Sequence, residues 1–208
     1  YNGLIPRNPF IQFHISPNVK EREYLTEDEL KAVMTHEFAD SKLAYIRDIF
    51  IFASFTVLSF VDIQELTNDN IVEVNGEKWI LSKRHKTKVA FQVKLLDIPL
   101  QIVERYRPMQ KDNRIFPDLN YWSICKPLKR MIRECGITKS ISFHCSRHGF
   151  ATLALSKGMP IESVSRVLGH TNIVTTQLYA KITTQKLDND LTMFGDKLSK
   201  TFNGITMS

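Results

Sequence analysis

Residues 141–181 read ISFHCSRHGFATLALSKGMPIESVSRVLGHTNIVTTQLYAK, and four side chains in this stretch, His144, Arg147, His170 and Tyr179, stand at intervals that carry physical meaning. His144 and Arg147 are three apart at the start of a helical pattern, so both project from one face of a first turn. Behind them Phe150, Leu153, Ala154, Ile161, Val164, Val167 and Leu168 recur at helical spacing and face a core. Gly158 ends the first helix, Pro160 opens the second, and the second runs to Gly169. A sharp turn at Gly169-His170 leaves the imidazole at a helix end, and Thr171 or Asn172 caps a third short helix with Tyr179 two turns along it. Four groups able to hold a phosphate or attack it are thus expected on consecutive short helices.

Outward from this stretch, composition narrows the function classes. A chain of 208 residues can bury a sizeable core, and its net charge of +6 favours a polyanionic partner without requiring one. No apolar run reaches the roughly 18 residues that a bilayer span needs, and no secretory leader opens the chain, so a soluble intracellular protein without membrane partners is expected. Cys125, Cys135 and Cys145 are odd in number and lack paired spacing, which argues for reduced thiols. His144, Cys145 and His148 cluster, but a tetrahedral site needs four ligands at suitable intervals, and no metal or other cofactor is expected.

The ordered set H144-C-S-R147, L168-G-H170 and Y179 resembles the tyrosine recombinases of the phage-integrase class. In that family His-x-x-Arg is followed by Leu-Gly-His and, nine residues after that histidine, by the nucleophilic tyrosine. The resemblance implies a mainly helical α+β catalytic domain with a three-stranded antiparallel sheet at one edge. It also implies site-specific DNA strand cleavage and rejoining, double-stranded DNA as substrate, and a homo-oligomer, a tetramer, on that DNA with accessory DNA-bending proteins. The expected location is the bacterial cytoplasm, at the nucleoid. A DNA-binding protein that has kept the fold without cutting, and a relaxing topoisomerase with the same chemistry, are the alternatives.

Three domain-level expectations follow. Residues 1–23, with Pro6, Pro9 and Pro17, read as an extended linker from an absent amino-terminal core-binding domain. Residues 24–183 form the catalytic domain, opened by a Thr26/Glu29 capping box. Residues 184–208 are a tail in which Leu187, Leu191, Phe194 and Leu198 make a sparse apolar face, docking either on a neighbouring protomer, as in the resembled family, or on its own domain.

Between these limits, Ser41 or Lys42 opens a long apolar helix running to Phe60, and Ile71–Ser82 reads as a hairpin around Asn75-Gly76 with a third strand from Ala90. A helix begins with Pro99 at its first position, and another is capped by Asp118 or Asn120.

The resembled family carries T-G-L-R in the long apolar stretch, its arginine gripping the scissile phosphate; here the matching residues are Thr56, Val57, Leu58 and Ser59. A guanidinium neutralises phosphate charge as no serine can. Either Ser59 hydrogen-bonds the phosphate while Arg47 supplies the charge, or the enzyme is slower, or cutting is lost. Arg47 has a structural alternative, pairing with Asp48, Asp62 or Glu65. The segment R84-H-K86-T87 fits the family's R-x-K-T, which implies Lys86 as general acid toward the departing 5′ oxygen. Lys83, Arg84, His85 and Lys88 are expected to touch the DNA backbone, as is the positive face formed by Lys126, Lys129, Arg130 and Arg133. His144 suits proton traffic with the Tyr179 phenol, and Arg147 and His170 the stabilisation of phosphate oxygens.

Overall fold

The expected capping box opens the fold: Thr26 N donates to Glu29 Oε2 at 2.7 Å and Glu29 N to Thr26 Oγ1 at 3.3 Å, starting α1 (Glu27–Thr35). The architecture is that of a computed structural model, which describes residues 23–85, 88–110, 112–180 and 184–203, without the side chains of 184–186 and 189. The linker expectation for residues 1–23 therefore lies, but for Glu23, outside the described residues.

The apolar stretch forms α2 (Ser41–Thr56), capped by Asp40, whose carboxylate accepts from Lys42 N at 3.0 Å. It is the central helix, packed against α1, α4 (Asp97–Tyr106), α5 (Tyr121–Glu134) and α6 (Cys145–Ser156). Leu43, Ile46, Ile49, Phe50, Phe52 and Ala53 are fully buried in the main core. The helix does not run on to Phe60. It stops at Val57, which adopts the left-handed conformation (φ 61°), and Ser59 then caps the short α3 (Phe60–Gln64). A β-branched residue pays strain in that region, so the break is imposed by the surroundings and not by local preference.

The hairpin forms where alternation and Asn-Gly place it. Strands β1 (Ile71–Val74) and β2 (Glu77–Lys83) pair antiparallel with Ile71 opposite Ile80, and Asn75 and Gly76 both take positive φ (52° and 78°), as a type I′ turn requires. Strand β3 (Ala90–Lys94) pairs with β2, Lys83 opposite Ala90, completing a sheet of order β1-β2-β3.

Helix α4 begins earlier than expected, at Asp97, so Pro99 is its third residue, where its missing N–H is still outside the helical ladder. Asn120 is the cap of α5, accepting from Trp122 N at 2.9 Å. After α6 come α7 (Ile161–Leu168), opened by Pro160 and closed by Gly169 at φ 68°, and α8 (Val174–Gln177), where Asn172 accepts from Val174 N at 2.9 Å. α8 is only one turn long, so Tyr179 lies just past its end and not two turns along it, its N–H bonded to Thr176 O at 3.0 Å. A second cluster of Val57, Ala151, Leu155, Val164 and Leu168 holds these short helices together, and Tyr179 packs against it. The last helix, α9 (Thr184–Thr201), keeps Leu187, Leu191, Phe194 and Leu198 exposed. The three cysteines are free thiols.

Candidate active site

The break at Val57 creates the acceptor around which the site is built. Arg147, on the first turn of α6, donates from Nη1 to the Val57 carbonyl at 3.0 Å and from Nη2 to the Leu168 carbonyl. Arg84, one residue past β2, donates from Nη1 to the same Val57 oxygen at 3.2 Å and from Nη2 to the Val167 carbonyl at 3.0 Å. Its guanidinium lies 4.3 Å from the Phe91 ring centroid and is 7% exposed. Gly169 suits the turn because its φ of 68° is a left-handed helix end, and its Cα side faces Arg84, where a Cβ would make ordinary contact with Nε at 3.5 Å. That Nε is buried without an acceptor among the described residues, which leaves Arg84 a donor to spare.

Asp62 pins this cation. Its Oδ2 accepts from Arg84 Nη1 at 3.0 Å and from Ser59 Oγ at 2.8 Å, and its Oδ1 accepts from His85 N at 2.9 Å. Burial alone would raise the Asp62 pKa, but the His85 N–H, the Ser59 hydroxyl and Arg84 together hold it below the ordinary carboxylate value.

Two guanidinium groups so close and so shielded make an electropositive pocket. Burial first, and then Arg84, push Arg147 down to about 10, against the opposing pull of the Tyr179 phenol and Asp62. His170 is lowered by its burial and then by Arg147 and Arg84, so it is mostly neutral at pH 7. Its Nδ1 shares a 2.8 Å hydrogen bond with the fully buried Thr176 Oγ1, the residue whose backbone also holds Tyr179. The Tyr179 ring lies nearly parallel to His170, centroids 6.5 Å apart, and 5.2 Å from the ring of His148. His148 in turn meets His144 edge-on at 4.6 Å.

Arg147, His170 and Tyr179 thus come together, and His144 joins them through His148. Three other expectations are corrected. Arg47 is not the replacement cation: its Nε pairs with Asp48 at 2.8 Å, its Nη1 donates to His36 O at 2.8 Å, and Val57 lies about 15 Å further along α2 at the helical rise. Asp48, 4% exposed, also accepts from Arg105 and Tyr106, so this is a structural network. Ser59 is committed to capping α3 through Asp62. Arg84 is not an exposed backbone contact but the second buried guanidinium.

Lys83 and Lys88 are exposed beside β2 and β3, Lys126 and Lys129 are exposed on α5, and Arg130 is exposed but spans Asp40 at 3.2 Å and Glu134 at 3.0 Å. Lys86 lies outside the described residues. Two buried residues hold places that the sequence reading did not give them: Asp62, a candidate partner for Arg47, pairs with Arg84 and Ser59, whose Ser59-x-x-Asp62 spacing is that of a capping box, and His148, noted only in the His144/Cys145/His148 cluster, lies against Tyr179 one helical turn after His144.

Residues 23–186 match the model of the phage integrase family. The tyrosine recombinase XerA of Pyrococcus horikoshii is 32% identical over 177 residues, 78% of this chain and 58% of that protein. The tyrosine recombinase XerC of Lactobacillus leichmannii is 26% identical over 200 residues, 89% of this chain and 67% of that protein. The chain therefore spans little more than half the length of the first of these relatives. In fold it is similar to the Tn1549 transposon integrase solved with transposon right end DNA, at a TM-score of 0.72 and 16% identity, covering 92% of this chain and 72% of that one. It is also similar to the XerH site-specific recombinase bound to difH substrate after cleavage, at a TM-score of 0.69 and 22% identity, covering 88% of this chain and 56% of that one. With its family model matched over most of its length, this chain belongs to the phage integrase family.

Proposed function

We propose that this chain is the catalytic part of a site-specific DNA recombinase that breaks and rejoins strands through an ester between Tyr179 and a 3′ phosphate. The observation that carries the reading is the pair of guanidinium groups, Arg84 and Arg147, on one carbonyl beside His170 and Tyr179. An arginine supplied to a phosphoryl-transfer transition state is worth on the order of 10³–10⁵ in rate, and Arg84 takes the role that Ser59 cannot fill. With that role filled, a degenerate DNA-binding protein becomes the weaker reading.

In this mechanism the Tyr179 oxygen attacks phosphorus in line, its proton passing to the imidazole side of the pocket, where His144 serves as base. The P–O5′ bond breaks, and the 5′ oxygen leaves as a hydroxyl with a proton from Lys86. Arg84, Arg147 and a neutral His170, donating from Nε2 with its Nδ1 accepting from the Thr176 hydroxyl, stabilise the non-bridging oxygens. The phosphodiester energy is kept in the tyrosyl ester, so rejoining to a new strand needs no nucleotide.

The partner is double-stranded DNA, attracted by Lys83, Lys88, Lys126 and Lys129. A tetramer on that DNA is the assembly that strand exchange calls for, with α9 docking its exposed leucines on a neighbouring protomer and accessory bending proteins shaping the site. The test is incubation of the chain with nicked duplexes randomised across the cleavage region, followed by denaturing recovery and sequencing of protein-linked strands. A covalent adduct on a defined subset, lost in Tyr179→Phe, is expected. Retention of DNA with no denaturation-stable adduct would mean a binder only, and relaxation of any supercoiled plasmid irrespective of sequence would mean a topoisomerase.

A further inference from the structure

The placement of Tyr179 raises a mechanical problem. In-line attack needs the phenol oxygen held close to its line of approach, because an ångström of misplacement costs orders of magnitude in rate. Tyr179 lies past the end of a four-residue helix, its N–H bonded to the Thr176 carbonyl at 3.0 Å. Its ring packs against the second apolar cluster and lies beside the rings of His148 and His170.

The ring contacts identify a residue that the recombination chemistry above does not use. His148 is 6% exposed, and its ring centroid is 5.2 Å from that of Tyr179 at an interplanar angle of 40°. On its other side His144 meets it edge-on at 4.6 Å and 87°. The spacing explains the chain of rings. His144 and His148 are four residues apart and stack one turn above the other along α6, while Arg147 and His148 are consecutive and diverge by about 100° around the helix. One rigid helix thereby sends Arg147 to the Val57 carbonyl and the neighbouring imidazole to the nucleophile.

We propose that His148 is a positioning residue for Tyr179. Its ring forms a wall that holds the phenol in the pocket before DNA arrives, and α6 thereby fixes the distance between nucleophile and phosphate-binding cation. The task assigned to His148 is that of a planar ring against the phenol, so an aromatic hydrocarbon at this position performs it. This rests on the reading of Tyr179 as nucleophile, for which Tyr179→Phe is the separate control.

The experiment compares His148→Phe with His148→Leu in the full chain, using a nicked duplex selected as an adduct-forming substrate. Single-turnover adduct formation, DNA affinity, thermal melting and the rate of Tyr179 nitration by tetranitromethane without DNA are measured. The expected result is a phenylalanine variant within about threefold of wild type, and a leucine variant slower by on the order of tenfold, the worth of one aromatic pair. The leucine variant should also nitrate Tyr179 several-fold faster, with DNA affinity unchanged. If the leucine variant does not fold, His148→Gln replaces it with the same expectations. Wild-type adduct rates and nitration in the non-aromatic variant would overturn the proposal. So would a folded phenylalanine variant as slow as the leucine one, which would make the imidazole nitrogen the working group. An adduct that persists in Tyr179→Phe would instead overturn the functional reading itself.

Discussion

Arg84 and Arg147 donate to one oxygen, the carbonyl of Val57, at 3.2 and 3.0 Å, although they stand 63 positions apart in the chain (147 − 84). Two like charges at one acceptor repel, and the arrangement persists because Asp62 sits against Arg84 and each guanidinium has one further carbonyl, Val167 for Arg84 and Leu168 for Arg147. Two guanidinium groups held this way make the site electropositive.

Arg84→Ala should therefore lower the rate of tyrosyl adduct formation by on the order of 10³-fold, within the range for loss of a phosphoryl-transfer arginine. DNA affinity should change much less, since many exposed lysines supply it. Adding Ser59→Arg to Arg84→Ala should recover part of the lost rate, because it restores a guanidinium from the α3 cap to the vacated pocket. Equal rates for Arg84→Ala and wild type in single-turnover cleavage would remove Arg84 from the chemistry.

The same pocket should bind a simple oxyanion. Burial and Arg84 push Arg147 down to about 10, and an anion relieves both effects. At ten times its dissociation constant sulfate would add about 1.4 kcal/mol, or several degrees of melting temperature for a domain of this size. Sulfate also stabilises proteins generically by exclusion from their surface, so the informative quantity is the difference between wild type and Arg84→Ala at matched ionic strength. Thermal melts should show most of the sulfate increment lost in the variant.

How much of this was legible in the sequence depends on the range of the contact involved. His144, Arg147, His170 and Tyr179 are tied by helical intervals and a glycine turn, and these local rules put them on consecutive short helices, while their gathering at one site was implied by the family resemblance. Arg84 was misread because a basic residue in a lysine-rich turn looks solvated. Its partners lie 22 residues away at Asp62 and 83 away at Val167, beyond any local pattern. One signal was present: Ile80, Ser82 and Arg84 alternate along β2, and Ile80 is buried while Leu81 and Lys83 are exposed, so strand parity puts Arg84 on the inner face. Arg47 failed for the complementary reason. A cation on an apolar helix takes the nearest carboxylate, and Asp48 is adjacent.

Asp62 should make stability depend on pH in a definite direction. Its folded-state pKa lies below the ordinary 3.8, so its contribution is complete above that value and disappears as pH falls through the lower folded value. Asp62→Asn leaves Arg84 buried without its counter-charge, a change that costs on the order of 3–5 kcal/mol near neutrality. The gap between wild type and Asp62→Asn in denaturant midpoint should be widest near neutrality, begin to narrow as pH falls through the ordinary carboxylate value of 3.8, and go on narrowing through the lower folded-state value. A gap that stays constant as pH falls through that range would show that the charge of Asp62 is immaterial.

Val57 occupies the position that glycine holds in the resembled T-G-L-R pattern, and it does so in the left-handed region at φ 61° while fully buried. The strain of that conformation is on the order of 1–3 kcal/mol for a non-glycine residue. Burying the side chain against Leu155 and Leu168 returns about 1.5–3 kcal/mol. The two nearly cancel, which is how a β-branched residue survives there. Val57→Gly removes both, and its net effect should be a loss of no more than about 2 kcal/mol. Val57→Ala gives up most of the burial while keeping part of the strain. Alanine is ordinarily the more stabilising of the two by about 0.5–1 kcal/mol in regular structure; here the order should reverse, with the glycine variant showing the higher denaturant midpoint. The glycine variant should also keep its adduct rate, because the carbonyl shared by Arg84 and Arg147 stays where the left-handed turn puts it. If the alanine variant proves the more stable, the left-handed turn at residue 57 is not a source of strain and the balance drawn here between strain and burial is wrong.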